Sequence, residues 1–116
     1  MNRAETGRAA EDAAAALLQA KGLAVVERNY RVKVGEIDLI ARDRDEIVFV
    51  EVRARAASGF GGAAASVGGL KRRKLVRAAS VWLQARGWTG PCRFDVVAVD
   101  SGRAEHIPAA FDASGR

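Results

Sequence analysis

The stretch from Gly35 to Arg55 reads GEIDLIARDRDEIVFVEVRAR. Two apolar runs flank a polar knot, Arg42 to Glu46, and Asp38, Glu51 and Arg53 stand inside the runs. An unpaired charge is costly to bury, so these three need partners, solvent or a metal ion. Both runs alternate as strands do. In the second, Val48, Val50 and Val52 share one face and Phe49, Glu51 and Arg53 the other. In the first, Ile37, Leu39 and Ala41 oppose Glu36, Asp38 and Ile40. Matching the two apolar faces demands an even-numbered connection, because a slip of one residue would put one of them in water. A two-residue turn at Arg44-Asp45 and a four-residue loop from Asp43 to Glu46 give the same register. Ile40 then faces Phe49, Asp38 faces Glu51 and Glu36 faces Arg53, each roughly 4.5–5.5 Å apart at Cβ.

Two carboxylates set directly opposite each other repel, and a hard divalent cation is what such a pair suits. Mg²⁺ takes oxygen ligands, commonly one or two carboxylates, and keeps several waters. An ion held in this way can generate hydroxide and stabilise charge on a phosphoryl group. Arg53, two residues from Glu51 on the same face, stands where it can hold the phosphate or the attacking water. The competing reading is a solvent-facing ladder in which Glu36 and Arg53 form a plain cross-strand ion pair. Against it stand the Asp38–Glu51 opposition and the apolar Ile40 and Phe49 on the same face.

The elements that must position these residues follow from pattern. NRAETGRAAEDAAAALLQAKG reads as a helix, with Asn2 and Glu5 spaced as a capping box and Gly22 as its stop. Ala10, Ala13, Ala14, Leu17 and Leu18 form one apolar stripe. At roughly 100° per residue, Glu11 lies at the edge of that stripe and Glu5 points nearly the opposite way, so Glu11 is the acid able to lean into a site beside the core. LAVVERNY is the first strand, and the two runs above are the second and third. AASGFGGAAASVGG is a Gly-rich loop, with the composition of a lid but no phosphate-loop pattern. LKRRKLVRAASVWLQARG is a second helix, with Leu75, Ala78, Ala79 and Trp82 turned inward. Its Lys71, Lys74 and Arg77 lie along one side, spaced to follow a phosphate backbone, unless they are simply a solvated face. CRFDVVAVD is a fourth strand, and RAEHIPAAF a weaker fifth that Pro108 either ends or confines to an edge. The order α-β-β-β-α-β-(β) predicts an α/β domain over residues 1–116, with a mixed β-sheet of four to five strands flanked by helices.

These residues resemble a known family. Asp38, a gap of twelve residues and then Glu51-Val52-Arg53 resembles the PD-(D/E)XK nuclease motif. RNYR, GEIDLIARD and VFVEVRAR, with RFDVV and the terminal AAF, closely resemble the small bacterial YraN-type family. That family is related to archaeal Holliday-junction resolvases and assigned to the restriction-endonuclease-like fold. The resemblance implies such a fold and Mg²⁺ or Mn²⁺ bound by Asp38, Glu51 and a helix acid that maps to Glu11. It further implies a charge-stabilising role at Arg53, and a nucleic-acid partner, DNA before RNA, for the helix bearing Lys71, Lys74 and Arg77. Many relatives act as dimers, so a homodimer is among the expected states. One position departs from the motif, which has lysine where this chain has Arg53. Arginine keeps the charge and offers a planar fork suited to phosphate, but it does not act as a general base.

Composition sets the outer limits. The chain has 116 residues, 49 % hydrophobic and 28 % charged, as in ordinary globular proteins. Cys92 is the only cysteine, which excludes an internal disulfide. The charged start and the short apolar runs predict a cytoplasmic protein with no membrane association. A net charge of +5 is a modest bias toward polyanions. Asp95 reads as a strand-end polar residue or a second support for the site, His106 as a surface strand residue with no zinc companions, and Trp82 and Trp88 as packing residues. Three functions compete: a metal-dependent nuclease, a non-catalytic nucleic-acid-binding module with a degenerate site, and a structural protein that docks through its basic helix.

Overall fold

The computed structural model describes residues 3–54, 67–100 and 103–116, and for residues 3–6 the backbone alone. The Asn2–Glu5 cap, the side chain of Glu5 and nearly all of the Gly-rich loop lie outside the described residues.

The small-residue stripe forms helix α1 (Arg3–Ala20). Ala10, Ala14, Ala15 and Leu18 are buried along it, and the chain leaves through Gly22 at φ 92°. Three strands follow as a meander: β1 (Ala24–Val32), β2 (Gly35–Asp43) and β3 (Glu46–Arg53). Helix α2 (Gly69–Arg86) then crosses the sheet and ends at Gly87, whose φ of 63° needs no Cβ. β4 (Cys92–Asp100) pairs parallel with β3, and β5 (Arg103–Phe111) closes the sheet antiparallel to β4. Among the described residues the result is a five-stranded mixed sheet in the order β1-β2-β3-β4-β5, flanked by two helices.

Period-2 alternation sorts the apolar side chains into two cores. Leu39, Ala41, Val48, Val50, Val97 and Val99 pack with Ala14 and Leu18 on the α1 face. Ile40, Phe49, Phe94 and Val96 pack with Leu75, Ala78 and Trp82 on the α2 face. Phe49 meets Trp82 edge-on, with ring centroids 5.8 Å apart, and stacks on Phe94 at 5.5 Å. Each such fully buried apolar side chain contributes about 1.5–3 kcal/mol.

The β2–β3 connection is a two-residue turn, Arg44-Asp45, with Arg44 at φ 59°. Its register sets Ile40 opposite Phe49, as alternation predicts. Pro108 does not end β5: it is exposed within this edge strand, which runs on to Phe111.

Two polar expectations are overturned. Asp95 is fully buried and is not a strand-end residue, and the His106 side chain is only 3 % exposed. Register explains both, since β5 sets His106 opposite Val97 and so turns its ring into the sheet's interior. There its Nε2 lies 2.6 Å from Asp95 Oδ2, while Lys21 Nζ approaches its Nδ1 at 2.9 Å. Asp95 also accepts from Arg93 Nε at 3.0 Å and from the Ala109 N–H at 2.9 Å. Arg93 in turn reaches Asp43 and Glu46 beside the turn.

Gly35, at the tip of the β1–β2 hairpin, packs against the backbone of α2. A Cβ there would stand 2.4 Å from the Lys74 carbonyl oxygen, so the hairpin can seat on the helix only without a side chain. Gly35→Ala is expected to destabilise the protein by about 1–3 kcal/mol, read as a lower urea midpoint at unchanged m-value. A midpoint equal to that of the wild type would show that the tip does not press on the helix.

Candidate active site

Asp38 lies where β2 and β3 part. Their ladder runs from Asp43↔Glu46 to Leu39↔Val50. Beyond it, the Val52 N–H donates to Asp38 Oδ2 at 2.8 Å, so a carboxylate stands in for a strand partner. A change of face puts it there. Ile37 and Leu39 are two residues apart, yet Ile37 packs on the α2 side and Leu39 on the α1 side. Their β1 neighbours do the same: Arg28 reaches Asp12 of α1 at 2.6 Å, while Tyr30 packs on the α2 side. A regular strand would keep such pairs together. Between Arg28 and Tyr30 stands Asn29 at φ 53°, a left-handed conformation that asparagine tolerates better than most residues. The continuous apolar face expected for Ile37, Leu39 and Ala41 is therefore broken at Ile37.

Glu51 is 2 % exposed on the α2 face of β3, with its backbone held from the other side by the pairing of Glu51 with Val96 of β4. It hydrogen-bonds Asp38. Burial, then the hydrogen bond and charge of Asp38, push its carboxyl from an ordinary 4.5 up to about 8. Lys71, reaching in from α2, opposes this rise: its Nζ lies 2.7 Å from Glu51 Oε2. The close ammonium argues for an ionised acid and the buried carboxylate pair for a protonated one. Burial and Asp38 outweigh the single lysine.

Glu11 stands across a cleft of about 410 Å³ that it lines with Asn29, Arg31, Asp38 and Val52. Asn29 Nδ2 donates to its Oε1 at 3.0 Å. Burial and the Asp38 charge raise its carboxyl as well. Arg53 is half-buried at the end of β3, on the Glu51 face by alternation. Its expected partner is elsewhere: Glu36 pairs with Arg31 across the β1–β2 hairpin at 3.5 Å. The hairpin follows the β1–β2 register, in which Arg31 is opposite Glu36.

The basic helix contributes in two ways. Lys71 enters the acid pair directly, whereas sequence spacing grouped it with outward-facing cations. Lys71 and Lys74 also line a second cleft, about 510 Å³, with Arg31 and Lys33. Arg77, one turn on, is exposed. Sequence pattern passed over Asn29, although an asparagine amid strand-forming residues is a usable sign of a left-handed kink. No sequence signal separated Lys71 from its basic neighbours.

Among the described residues, no three Asp, Glu, His or Cys side chains already stand close enough to enclose a cation. The donors themselves suit one. Two acids are in contact, a third lies across a cleft from Asp38, and all offer the carboxylate oxygens that Mg²⁺ and Mn²⁺ take.

Residues 10–99, which include Glu11, Asp38, Glu51, Arg53 and Lys71, match the family described as Uncharacterised protein family UPF0102. The UPF0102 protein of Cupriavidus metallidurans is 57 % identical over 107 residues, covering 91 % of this chain and 80 % of that protein. Relatives in Ralstonia nicotianae (54 % over 113 residues, 93 % and 87 % covered) and Methylibium petroleiphilum (51 % over 115 residues, 93 % and 94 % covered) are similar along nearly their whole lengths. With its matched span running from α1 to β4 and relatives that share half or more of its residues, the chain belongs to the UPF0102 family.

Proposed function

We propose that this chain is a metal-dependent nuclease-like protein that hydrolyses phosphodiester bonds in DNA, built on a restriction-endonuclease-like sheet. The observation that carries the reading is the Asp38–Glu51 pair. Two acids are pressed together at a seam of the sheet, one of them buried and held up to about 8, an arrangement that disfavours their charged forms. A divalent cation would relieve that repulsion, and a strongly shifted acid beside the cleft that Asp38 and Glu11 line marks a candidate functional site.

Asp38, Glu51 and Glu11 would hold Mg²⁺ or Mn²⁺. Bound there, the ion would supply positive charge against the phosphate and lower the pKa of a water. The chain's own residues do the rest. Asn29 fixes Glu11, and the Val52 N–H fixes Asp38. Arg53 keeps its proton at any working pH, so it stabilises charge and orients phosphate oxygens without taking a proton. Lys74 and Arg77 lie exposed on α2, where cations can follow a phosphate backbone. Water is the nucleophile: its oxygen bonds to phosphorus, the phosphorus–oxygen bond to the leaving sugar breaks, and a proton ends on the leaving oxygen.

Saturating Mn²⁺ is expected to raise the melting temperature of the wild type, since a ligand at 100 times its Kd adds about 2.7 kcal/mol to a native state that alone binds it. Asp38→Asn is expected to lose that shift. Equal behaviour of the two proteins would show that the acids hold no metal. A second reading is favoured by Arg53, which stands where the motif has lysine: a nucleic-acid-binding module without chemistry. Branched, flapped and linear duplex DNA incubated with Mg²⁺, Mn²⁺ or EDTA decides between them. Cleavage that Arg53→Lys retains or raises supports the nuclease. DNA bound but cut by neither protein supports the module.

A further inference from the structure

Lys71, expected from its spacing to follow a phosphate backbone, is instead in direct contact with the acid pair. Its Nζ is 2.7 Å from Glu51 Oε2, yet that buried oxygen makes no hydrogen bond of good geometry. The ammonium therefore offsets the charge of the Asp38–Glu51 pair by proximity and not as an aligned donor. Its surroundings differ at its two ends. Glu51 is 2 % exposed, whereas the Lys71 side chain is 44 % exposed and lines the open cleft with Arg31, Lys33, Lys74 and one acid, Glu36, which Arg31 offsets at 3.5 Å. A flexible four-carbon stem on a helix fixed by buried Leu75, Ala78 and Ala79 lets the charge move between acid and cleft while α2 stays still. A divalent cation bound to Glu51 would lie within a few ångström of this ammonium, and like charges at that distance repel strongly.

We propose that Lys71 is the exchangeable counter-ion of the Asp38–Glu51 pair: it balances the pair's charge in the metal-free protein, yields Glu51 to a divalent cation, and turns to a DNA phosphate in the cleft it shares with Arg31, Lys33 and Lys74. This rests on the metal-dependent reading of the same site. It makes Lys71 a positioning residue that couples two ligands. The cation frees an ammonium for phosphate, and phosphate draws off the ammonium that competes with the cation. Coupling of this kind is reciprocal, so each ligand tightens the other by the same factor.

The test is Mn²⁺ titration by calorimetry on the full chain, comparing wild type, Lys71→Met and Arg73→Met. Lys71→Met is expected to bind Mn²⁺ about tenfold more tightly, a typical coupling between sites. Arg73→Met removes the same charge from an exposed position two residues along the helix and is expected to leave the affinity unchanged, which separates exchange at Glu51 from a general loss of positive charge. Mn²⁺ should also tighten binding of a short duplex, checked intact by gel, about tenfold in the wild type and not in Lys71→Met. Where Met is poorly tolerated, Lys71→Gln supports the same comparison, with a donor kept beside Glu51 but no charge. Equal or weaker Mn²⁺ binding by folded Lys71 variants overturns the exchange and leaves the metal site standing. Mn²⁺ binding by neither the wild type nor the variants overturns both.

Discussion

Glu51→Gln is expected to abolish DNA cleavage and, in the same protein without metal, to raise stability above neutral pH. The two effects share one cause. Glutamine keeps the shape of Glu51 and can still donate to Asp38, as the protonated acid does, but it offers no negative oxygen to a cation. In the wild type the folded-state value, about 8, lies above the ordinary 4.5, with burial and Asp38 raising it and Lys71 lowering it. The folded protein therefore keeps a proton that the unfolded chain releases. Stability from that proton is complete below about pH 4.5 and is lost as pH rises through about 8. The loss is on the order of a few kcal/mol, because a tenfold difference in proton affinity between folded and unfolded chain is worth about 1.4 kcal/mol. Subtracting the wild-type stability curve from that of Glu51→Gln, both from urea melts in EDTA, isolates this acid from the other titrating groups. The difference should grow between pH 5 and pH 8 and then level. A flat difference would mean that Glu51 is ionised throughout and that Lys71 outweighs burial. Cleavage persisting in the variant would place the chemistry elsewhere.

Asp95→Ala is expected to cost about 3–5 kcal/mol, the usual result of removing one partner from a buried charged network. The side chain is fully buried and serves Arg93, His106 and the Ala109 N–H together. Without it, His106 loses its buried partner and the Ala109 amide loses its acceptor. Arg93 keeps Asp43 at 3.2 Å and Glu46 at 2.8 Å, so the damage should concentrate where β5 joins β4. Denaturant unfolding measures the loss. Asp95→Asn, which keeps the shape, should lose less. A change below about 1 kcal/mol for Asp95→Ala would show that the network contributes no more than a surface ion pair.

How legible the site was depended on which physical rule governed each residue. The hairpin register could be read because it follows from alternation and the need to bury two apolar faces, and Ile40 does oppose Phe49. The inward face of α2 could be read for the same reason, at a period of 3.6. The seam that holds Asp38 could not, because it depends on a change of face at Ile37 and a left-handed Asn29, where local pattern no longer sets direction. Lys71 was hidden by its neighbours: four cations within Lys71 to Lys74 look alike until packing selects one. Asp95 and His106 misled because burial of a charge depends on partners far along the chain. Arg93, two residues before Asp95 and on the same face, was the nearest sign of such a partner.

The strands stand in the sheet in the order in which they occur in the chain, and among the described residues only the β3–β4 pair is parallel. This arrangement ranks the steps of assembly. Contacts close in sequence have the smaller loop-closure cost and form sooner, which favours the β1–β2–β3 meander. The parallel pair must wait for the long connection that carries α2. Asp38 and Glu51 therefore meet early in folding, on two strands of one hairpin, while Lys71 reaches them only when α2 docks. The acids spend the interval without their counter-ion, and docking of the crossover helix both buries Glu51 and brings in the ammonium that offsets the pair.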